Sequence, residues 1–252
     1  MKKTVYLIGA GPGDPELLTL KAIRAIQKSQ AILYDQLVNK AVLEHASPEA
    51  ELVYVGKKKG SHVIPQDQIN ELLVELASKY DIVSRLKGGD PFIFGRGGEE
   101  LEHLARHGFS CEIIPGITAA SAASASIGLP LTHRDYASQI LFMTGHKKED
   151  GNYASFANID LQDKTAVIYM GVTALADIVA EICKTITNCE IPVAIIENAS
   201  LPNQRVIRGI MKNIAELALK AKIQPPALLI IGNVVNFMDN IEKIINEVTS
   251  RE

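Results

Sequence analysis

The chain carries near its start the segment Val5-Tyr6-Leu7-Ile8-Gly9-Ala10-Gly11-Pro12-Gly13-Asp14. Its first four residues are apolar and predict a short buried strand, and the glycines after them predict a strand-to-helix turn. Glycine has no Cβ atom, so a turn of this kind lets the backbone approach a ligand closely. The alternation of strand and helix that begins here indicates an α/β fold.

The turn departs from the dinucleotide-binding fingerprint G-x-G-x-x-G at its last position. Counted from Gly9, the fingerprint requires glycine or alanine where this chain has Asp14. A carboxylate is a poor neighbour for a pyrophosphate, but it is compatible with a ligand that has no phosphate. Asp35 follows the turn by about 20 residues, as does the ribose-binding acid of NAD enzymes. An NAD-dependent oxidoreductase is therefore the alternative that this spacing leaves open.

Length and composition indicate a globular protein. The 252 residues, with 47% hydrophobic and 22% charged residues, allow one or two domains with a large core. A net charge of −3 and an aromatic content of 5% argue against general attraction to nucleic acid or anionic membranes. No uncharged run approaches the roughly 20 residues of a membrane span, and the apolar start is too short for a signal peptide. We expect a cytoplasmic protein without nucleic-acid or membrane partners.

Strand-like and helix-like segments alternate through the chain, which favours sheets that are mostly parallel or mixed. In the first half we expect strands at residues 5–8, 31–34, 52–55, 81–86 and 110–114, and helices at 15–29, 65–79 and 99–107. In the second half we expect strands at 140–144, 165–170, 193–197, 204–208 and 227–231, and helices at 118–126, 174–184 and 210–221. The strand at 204–208 follows its predecessor without a helix, so antiparallel pairing is expected there.

The Pro115-Gly116 break divides the chain into two expected domains. The N-terminal α/β domain covers residues 1–114, the linker 115–118, and the C-terminal α/β domain 119–252. A cleft between two such domains is a natural binding site. Functional residues of an α/β sheet lie beyond the carboxyl ends of its strands. The candidates in the first half are the turns at 9–14 and 88–91, together with Asp35 and Lys57.

Two arginines lie in loops where they could bind acidic groups. Arg96 belongs to the glycine-rich segment Phe94-Gly95-Arg96-Gly97-Gly98-Glu99, and Arg134 follows a break at Pro130. A guanidinium group offers a planar fork for carboxylate or phosphate, so two of them would suit a small molecule with several carboxylates. The histidines indicate no metal site. The cysteines, Cys111, Cys183 and Cys189, are expected to be thiols in a reducing compartment.

Together these motifs resemble the tetrapyrrole methylase family, along nearly the whole chain. The turn Gly88-Gly89-Asp90-Pro91 marks the broad family, and the segments at 55–57 and 131–134 resemble members that methylate uroporphyrinogen III. The remaining similar segments are residues 5–14, 34–38, 64–66, 85–100, 115–119, 144–146 and 169–171. The fold that this resemblance implies has two α/β domains around an active-site cleft, and the family usually forms homodimers.

The resemblance implies methyl transfer from S-adenosyl-L-methionine to C2 and C7 of uroporphyrinogen III, which gives precorrin-2 for sirohaem or cobalamin synthesis and releases S-adenosyl-L-homocysteine. It implies that the cofactor contacts Pro12, Gly88, Gly89, Asp90, Ile93, Thr118, Ala119, Met170, Ala199 and Ala227. Many relatives have glycine at the position of Ala199, and a contact through the backbone would tolerate this difference.

The resemblance also implies catalytic and substrate-binding residues. Asp35 and Lys57 align with positions proposed for proton transfer in relatives, and Arg96 and Arg134 would bind substrate carboxylates. Glu99 could accept a pyrrole N–H, or it could serve only as a favourable charge at a helix N-terminus. A methyltransferase acting on a later precorrin, the NAD-dependent oxidoreductase and a non-enzymatic binding module are the alternatives.

Overall fold

The computed structural model describes residues 3–56, 64–146, 156, 159–186 and 189–249. The chain divides into two units, Met1–Ala119 and Ala120–Glu252. Within the described residues, each unit contains a five-stranded sheet, and helices alternate with its strands. The expected fold class, α/β in both halves with parallel or mixed sheets, is confirmed. No helix in the described part of the chain combines the length and apolar character needed to cross a membrane.

The sheet of the first unit is parallel throughout. Its strand order is β3-β2-β4-β1-β5, and neighbouring strands pair in the same direction. The strands are β1 (Thr4–Gly9), β2 (Ala31–Tyr34), β3 (Glu51–Tyr54), β4 (Ile82–Lys87) and β5 (Ser110–Ile114). The helices are α1 (Leu20–Lys28), α2 (Gln66–Lys79) and α3 (Gly97–Arg106), followed by α4 (Ala119–Ser126) at the boundary of the units. The pairing of Gly9 with Lys87 places the ends of β1 and β4 side by side.

Both faces of this sheet are buried, as expected for parallel strands covered by crossover helices. Leu7 of β1 belongs to one apolar cluster, which includes Leu73 of α2 and Leu104 of α3. Its neighbour Ile8 belongs to the other cluster, which includes Ile26 of α1. Successive side chains of a strand point to opposite faces. The helices α2 and α3 therefore cover one face, and α1 covers the other.

The predicted helix at 15–29 is wrong in one respect, because the structure divides it into two elements. A 3-10 turn covers Pro15–Leu17, and α1 begins only at Leu20. Asp14 starts the first element, since its Oδ1 accepts a hydrogen bond from the backbone N–H of Glu16 at 2.9 Å. Thr19 starts the second element, since its Oγ1 accepts a hydrogen bond from the backbone N–H of Ala22 at 3.1 Å. Two capping residues so close together define two separate helix starts.

The sheet of the second unit is mixed, with strand order β6-β7-β10-β8-β9. The strands are β6 (Gln139–Thr144), β7 (Lys164–Tyr169), β8 (Pro192–Glu197), β9 (Arg205–Ile210) and β10 (Ala227–Ile231). The first two pair in parallel and the other pairs are antiparallel, so the expected antiparallel strand near 204–208 is confirmed. The helices are α5 (Leu175–Thr185), α6 (Ile214–Lys220) and α7 (Phe237–Thr249). Helix α6 begins later than predicted because Ile210 still pairs with Pro192 in the sheet.

The cysteines depart from expectation. Cys183 of α5 and Cys189 form a disulfide, whereas Cys111 is a free thiol. The Cα atoms of the two residues are 5.8 Å apart, within the normal range for a bridge. The expectation of three thiols is therefore corrected for this pair.

Three glycines allow loops of the first unit to meet without space for side chains. A Cβ atom added at Gly9 would lie 2.6 Å from the carbonyl oxygen of Gly89 and 2.5 Å from the Cα atom of Gly116. A Cβ atom at Gly116 would lie 2.7 Å from the Cα atom of Gly9. Gly89 has a φ of 68°, in the left-handed region that glycine adopts most readily. The loops after β1, β4 and β5 can be this close only because these residues are glycine.

We predict that Gly116→Ala destabilises the first unit, because backbone atoms rather than flexible side chains occupy the space of the new methyl group. Overpacking of this kind costs about 1–3 kcal/mol or more. The matched control is Gly98→Ala in α3, where the new Cβ atom meets nothing within 4 Å. The control should be neutral or stabilising by up to about 1 kcal/mol, since alanine favours helix. Urea unfolding followed by circular dichroism measures both, and equal stability of the two variants would contradict the account.

Candidate functional site

Hydrogen bonds join the loops at the carboxyl edge of the first sheet. Gly11 and Gly89 exchange two backbone hydrogen bonds, of 3.2 Å from Gly11 N and 2.6 Å from Gly89 N. Asp90 accepts from the N–H of Gly116 at 3.1 Å through Oδ2 and from the N–H of Phe92 at 2.9 Å through Oδ1. Asp90 therefore serves as a structural bridge between the loop after β4 and the segment after β5.

This edge gathers the expected cofactor residues of the first unit. Pro12 lies in the loop after β1, and the segment 88–93, which includes Gly88 and Ile93, follows β4. Thr118 and Ala119 lie where α4 begins, and a Cβ atom added to Gly89 would be 4.0 Å from the Cα atom of Thr118 and 3.8 Å from the nitrogen of Ala119. The structure thus places residues from three loops around one glycine-lined patch of backbone, which is a suitable surface for a flat ligand.

The expected cofactor residues of the second unit also share one edge. Strands β7 and β8 point the same way, because β10 lies between them and is antiparallel to both. Met170 follows β7, and Ala199 lies just beyond β8. The pairing of Leu229 with Ile168 puts Ala227, the first residue of β10, level with Met170.

Strained backbone marks this second edge. Met170, Asn198 and Ser200 have φ values of 56°, 50° and 67°, although none of them is glycine. Left-handed backbone at such residues costs free energy and is concentrated at functional sites. Asn198 and Ser200 flank Ala199, so the strain brackets one of the expected cofactor residues. Asparagine adopts this conformation more readily than most residues, so Asn198 is a weak signal, but residue type does not predict a positive φ for Met170 or Ser200.

A buried cluster of charges lies beneath the glycine edge. The Oε1 atom of Glu100 accepts from Lys87 Nζ at 2.8 Å, Arg85 Nε at 3.2 Å and Gln66 Nε2 at 3.1 Å. The side chain of Glu100 is fully buried, and those of Arg85 and Lys87 are nearly so. Arg85 also reaches Asp35, where Nη2 lies 3.0 Å from Oδ2. Two buried cations therefore share one buried carboxylate, and one of them extends to a candidate catalytic residue.

Burial affects the pKa of Lys87 in this cluster. Loss of solvation lowers the pKa of the Lys87 ammonium below its ordinary value, and the neighbouring Arg85 charge lowers it further. The Glu100 carboxylate opposes both effects. A local pattern indicates this cluster, because Arg85 and Lys87 lie two residues apart in a strand with apolar neighbours and so face the same side.

The remaining candidates are placed as follows. Arg96 and Glu99 bind each other in a two-point ion pair, of 2.8 Å from Nε to Oε1 and 2.6 Å from Nη2 to Oε2, and both are exposed. The hydrogen bond from Arg96 lowers the pKa of Glu99, which makes it a weaker base. Arg134 is exposed in a turn closed by hydrogen bonds between His133 and Ala137. Lys57 lies outside the described residues.

A metal-ligand group is present where none was expected. His103 and His107 are four residues apart at the end of α3, and Glu71 of α2 lies beside them. Spacing of four residues places the two histidine side chains on one helix face, and with Glu71 they form a group that could hold a metal ion; the absence of a metal site stays a prediction from the sequence.

Residues 4–215 of the amino-acid sequence match the family model for Tetrapyrrole (Corrin/Porphyrin) Methylases. The chain belongs to this family. The resemblance found in the sequence motifs is thereby confirmed.

Similar proteins agree with this assignment. Siroheme synthase from Pseudomonas putida strain F1 is 46% identical over 237 residues, which cover 94% of this chain and 51% of that protein. This chain thus spans about half the length of the curated relatives it matches. The structure of native uroporphyrin III C-methyl transferase from Thermus thermophilus is 40% identical in sequence and matches with a TM-score of 0.79. The match covers 93% of this chain and 94% of that chain. A structure of the Thermus thermophilus enzyme complexed with S-adenyl homocysteine is 41% identical, with the same coverage and TM-score.

We predict that Glu100→Ala strongly destabilises the protein, because it leaves Arg85 and Lys87 buried without their shared anion. Removal of one partner from a buried ion pair costs about 3–5 kcal/mol. The matched control is Glu99→Ala, which removes an exposed pair and should cost about 1 kcal/mol or less. Denaturant unfolding of both variants measures the difference, and comparable losses would show that the buried cluster has no special role in stability.

Proposed function

We propose that the chain methylates uroporphyrinogen III at C2 and C7 with S-adenosyl-L-methionine and produces precorrin-2. The observation that carries this proposal is the similarity to uroporphyrin III C-methyl transferase over nearly the full length of both chains. The glycine-lined edge of the first unit supports it, since it suits a nucleoside ligand without phosphate. The carboxylate of Asp14 is already engaged in starting the 3-10 turn at Pro15–Leu17, so it need not bind a ligand.

The chemistry places modest demands on the protein. The sulfonium group of S-adenosyl-L-methionine already activates the methyl group, and an electron-rich pyrrole carbon of the substrate is the nucleophile. The protein needs no nucleophile of its own, so its main task is to align the two reacting atoms. A residue that removes the proton after methylation would add about 10²–10⁴-fold.

We assign cofactor binding to the two strand edges. In the first unit the contacts are Pro12, Gly88, Gly89, Asp90, Ile93, Thr118 and Ala119. In the second unit they are Met170, Ala199 and Ala227. The left-handed backbone on either side of Ala199 supports a contact through main-chain atoms, which fits a position where many relatives have glycine.

We assign proton transfer to Asp35, Lys57 and Glu99, and recognition of substrate carboxylates to Arg96 and Arg134. Arg85 Nη2 lies 3.0 Å from Asp35 Oδ2, and this contact supports the assignment by holding the Asp35 carboxylate in place at the end of its strand. Arg96 and Glu99 are paired with each other, so a substrate carboxylate must replace Glu99 on the guanidinium group. This exchange would release the Glu99 carboxylate to accept a pyrrole N–H at the same moment.

We further propose that the chain forms a homodimer and is cytoplasmic. The apolar side chains Ile241, Ile244, Ile245 and Val248 of α7 are exposed in the single chain, which supports burial of this helix in an assembly. The cytoplasmic location rests on composition. Light scattering at several protein concentrations tests the oligomeric state.

The proposed activity is tested by incubating the protein with labelled S-adenosyl-L-methionine and uroporphyrinogen III under anaerobic conditions. We expect two methyl groups per tetrapyrrole by mass spectrometry. A later precorrin added as competitor should be the poorer substrate, and calorimetry should detect S-adenosyl-L-homocysteine binding but no NADH binding. Absence of methyl incorporation from protein that binds S-adenosyl-L-homocysteine would refute this substrate, and binding of NADH instead would favour the oxidoreductase.

We predict that Arg134→Ala raises the KM for uroporphyrinogen III about tenfold or more, since a hydrogen bond to a charged group contributes about 1.5–3 kcal/mol. The Kd for S-adenosyl-L-homocysteine should change less than about twofold, because this residue is assigned to substrate. Arg24→Ala, a change at an exposed arginine of α1, is the matched control and should alter neither constant. Equal weakening of substrate and cofactor binding would contradict the assignment.

A further inference from the structure

Helices α2 and α3 present a group of three metal-ligating side chains outside the residues assigned to methyl transfer. Glu71 comes from the first of these helices, and His103 and His107 come from the second. One ligand atom of each residue lies within 4.8 Å of the others. The group is at the carboxyl end of α3, whereas Arg96 and Glu99 are at its amino end.

The distances fit coordination by a small divalent ion. His103 Nε2 lies 3.2 Å from Glu71 Oε1. Two ligands at 2.0–2.2 Å from a tetrahedral zinc ion are about 3.3–3.5 Å apart, so this pair has nearly the required separation. The rings of His103 and His107 are 4.5 Å apart, so a small rotation of the exposed His107 would bring its ligand atom to the same centre.

The state of the two imidazoles supports the same interpretation. The Nε2 atom of His103 is buried, and among the described residues its contact with Glu71 Oε1 at 3.2 Å does not have hydrogen-bond geometry. A buried polar atom without a hydrogen bond is costly, and an ion would satisfy it. His107 Nδ1 lies 2.9 Å from the backbone oxygen of His103 and must be the donor, because a carbonyl only accepts. In the neutral ring this leaves Nε2 as the nitrogen that can bind a metal, as in metal-bound histidines whose other nitrogen donates to the backbone.

The position in the helix adds a favourable field. His107 is the residue that ends α3, and the carboxyl end of a helix carries partial negative charge that stabilises cations. Two imidazoles and one carboxylate suit zinc and the neighbouring transition metals better than magnesium or calcium, which prefer oxygen ligands.

We propose that Glu71, His103 and His107 bind one divalent transition-metal ion of the zinc class, with water as the remaining ligand. The ion joins α2 to α3 at a second point. The first point is the hydrogen bond from Gln66, at the start of α2, to the buried Glu100 of α3. The site is structural, since the residues assigned to methyl transfer do not include its ligands.

The test is zinc titration of the full, untagged chain by calorimetry after removal of metals with a chelator. We expect one saturable site per chain, and a Kd at least about tenfold higher in His107→Ala and in Glu71→Gln, since each loses a ligand. Both positions are exposed or near the helix end, so the variants should fold like the parent. The control His45→Ala changes a histidine of the Lys40–His45 turn and should keep the parent affinity.

Two further readouts make the result decisive. Zinc should raise the melting temperature of the parent and of His45→Ala, but not of His107→Ala, because only binding to the folded state stabilises it. Cobalt should give the intense visible absorption of a four-coordinate site in the parent but not in His107→Ala. Absence of saturable zinc binding, or unchanged affinity in both ligand variants, would overturn the proposal. These measurements need neither cofactor nor substrate, so their outcome is independent of the proposed methyl transfer.

Discussion

The close approach of Gly9, Gly89 and Gly116 is the constraint on which the first unit depends. Where β1, β4 and β5 end, the next segments lie against one another with no room for a Cβ atom at Gly9 or Gly116. The exchange of hydrogen bonds between Gly11 and Gly89, and the bond from Gly116 to Asp90, then hold the three segments in place. The result is a surface in which backbone atoms of three segments lie close together.

The buried charges form a second layer under that surface. Arg85 and Lys87 precede the Gly88-Gly89-Asp90 turn in β4, and both are fixed by Glu100 of α3. The ion pairs of Arg85 and Lys87 with Glu100 therefore hold the end of β4, and with it the turn that follows. Asp35, at the end of the neighbouring strand, is tied to the same network through Arg85. This connection explains how a candidate proton acceptor is held in position at the edge of a loop.

The fold class and most elements could be predicted from sequence, because apolar runs separated by glycine and proline identify buried strands well. Strands at 31–34, 110–114 and 227–231 have the bounds expected. The errors arise where tertiary contacts decide. Ile210 stays in a strand because Pro192 pairs with it. Helix α7 is a different case, because its apolar residues recur at helical spacing and a local pattern therefore indicates it. The ion pair of Arg96 with Glu99 and the positive φ of Met170 depend on three-dimensional context that no local pattern contains.

The proposed cofactor binding depends most on the glycine-lined edge of the first unit. A crystal structure of the chain with S-adenosyl-L-homocysteine tests it most directly. The proposed function predicts main-chain contacts from Gly88, Gly89 and Thr118, with no contact from Asp14. A cofactor bound elsewhere, or held mainly by charged side chains, would contradict it.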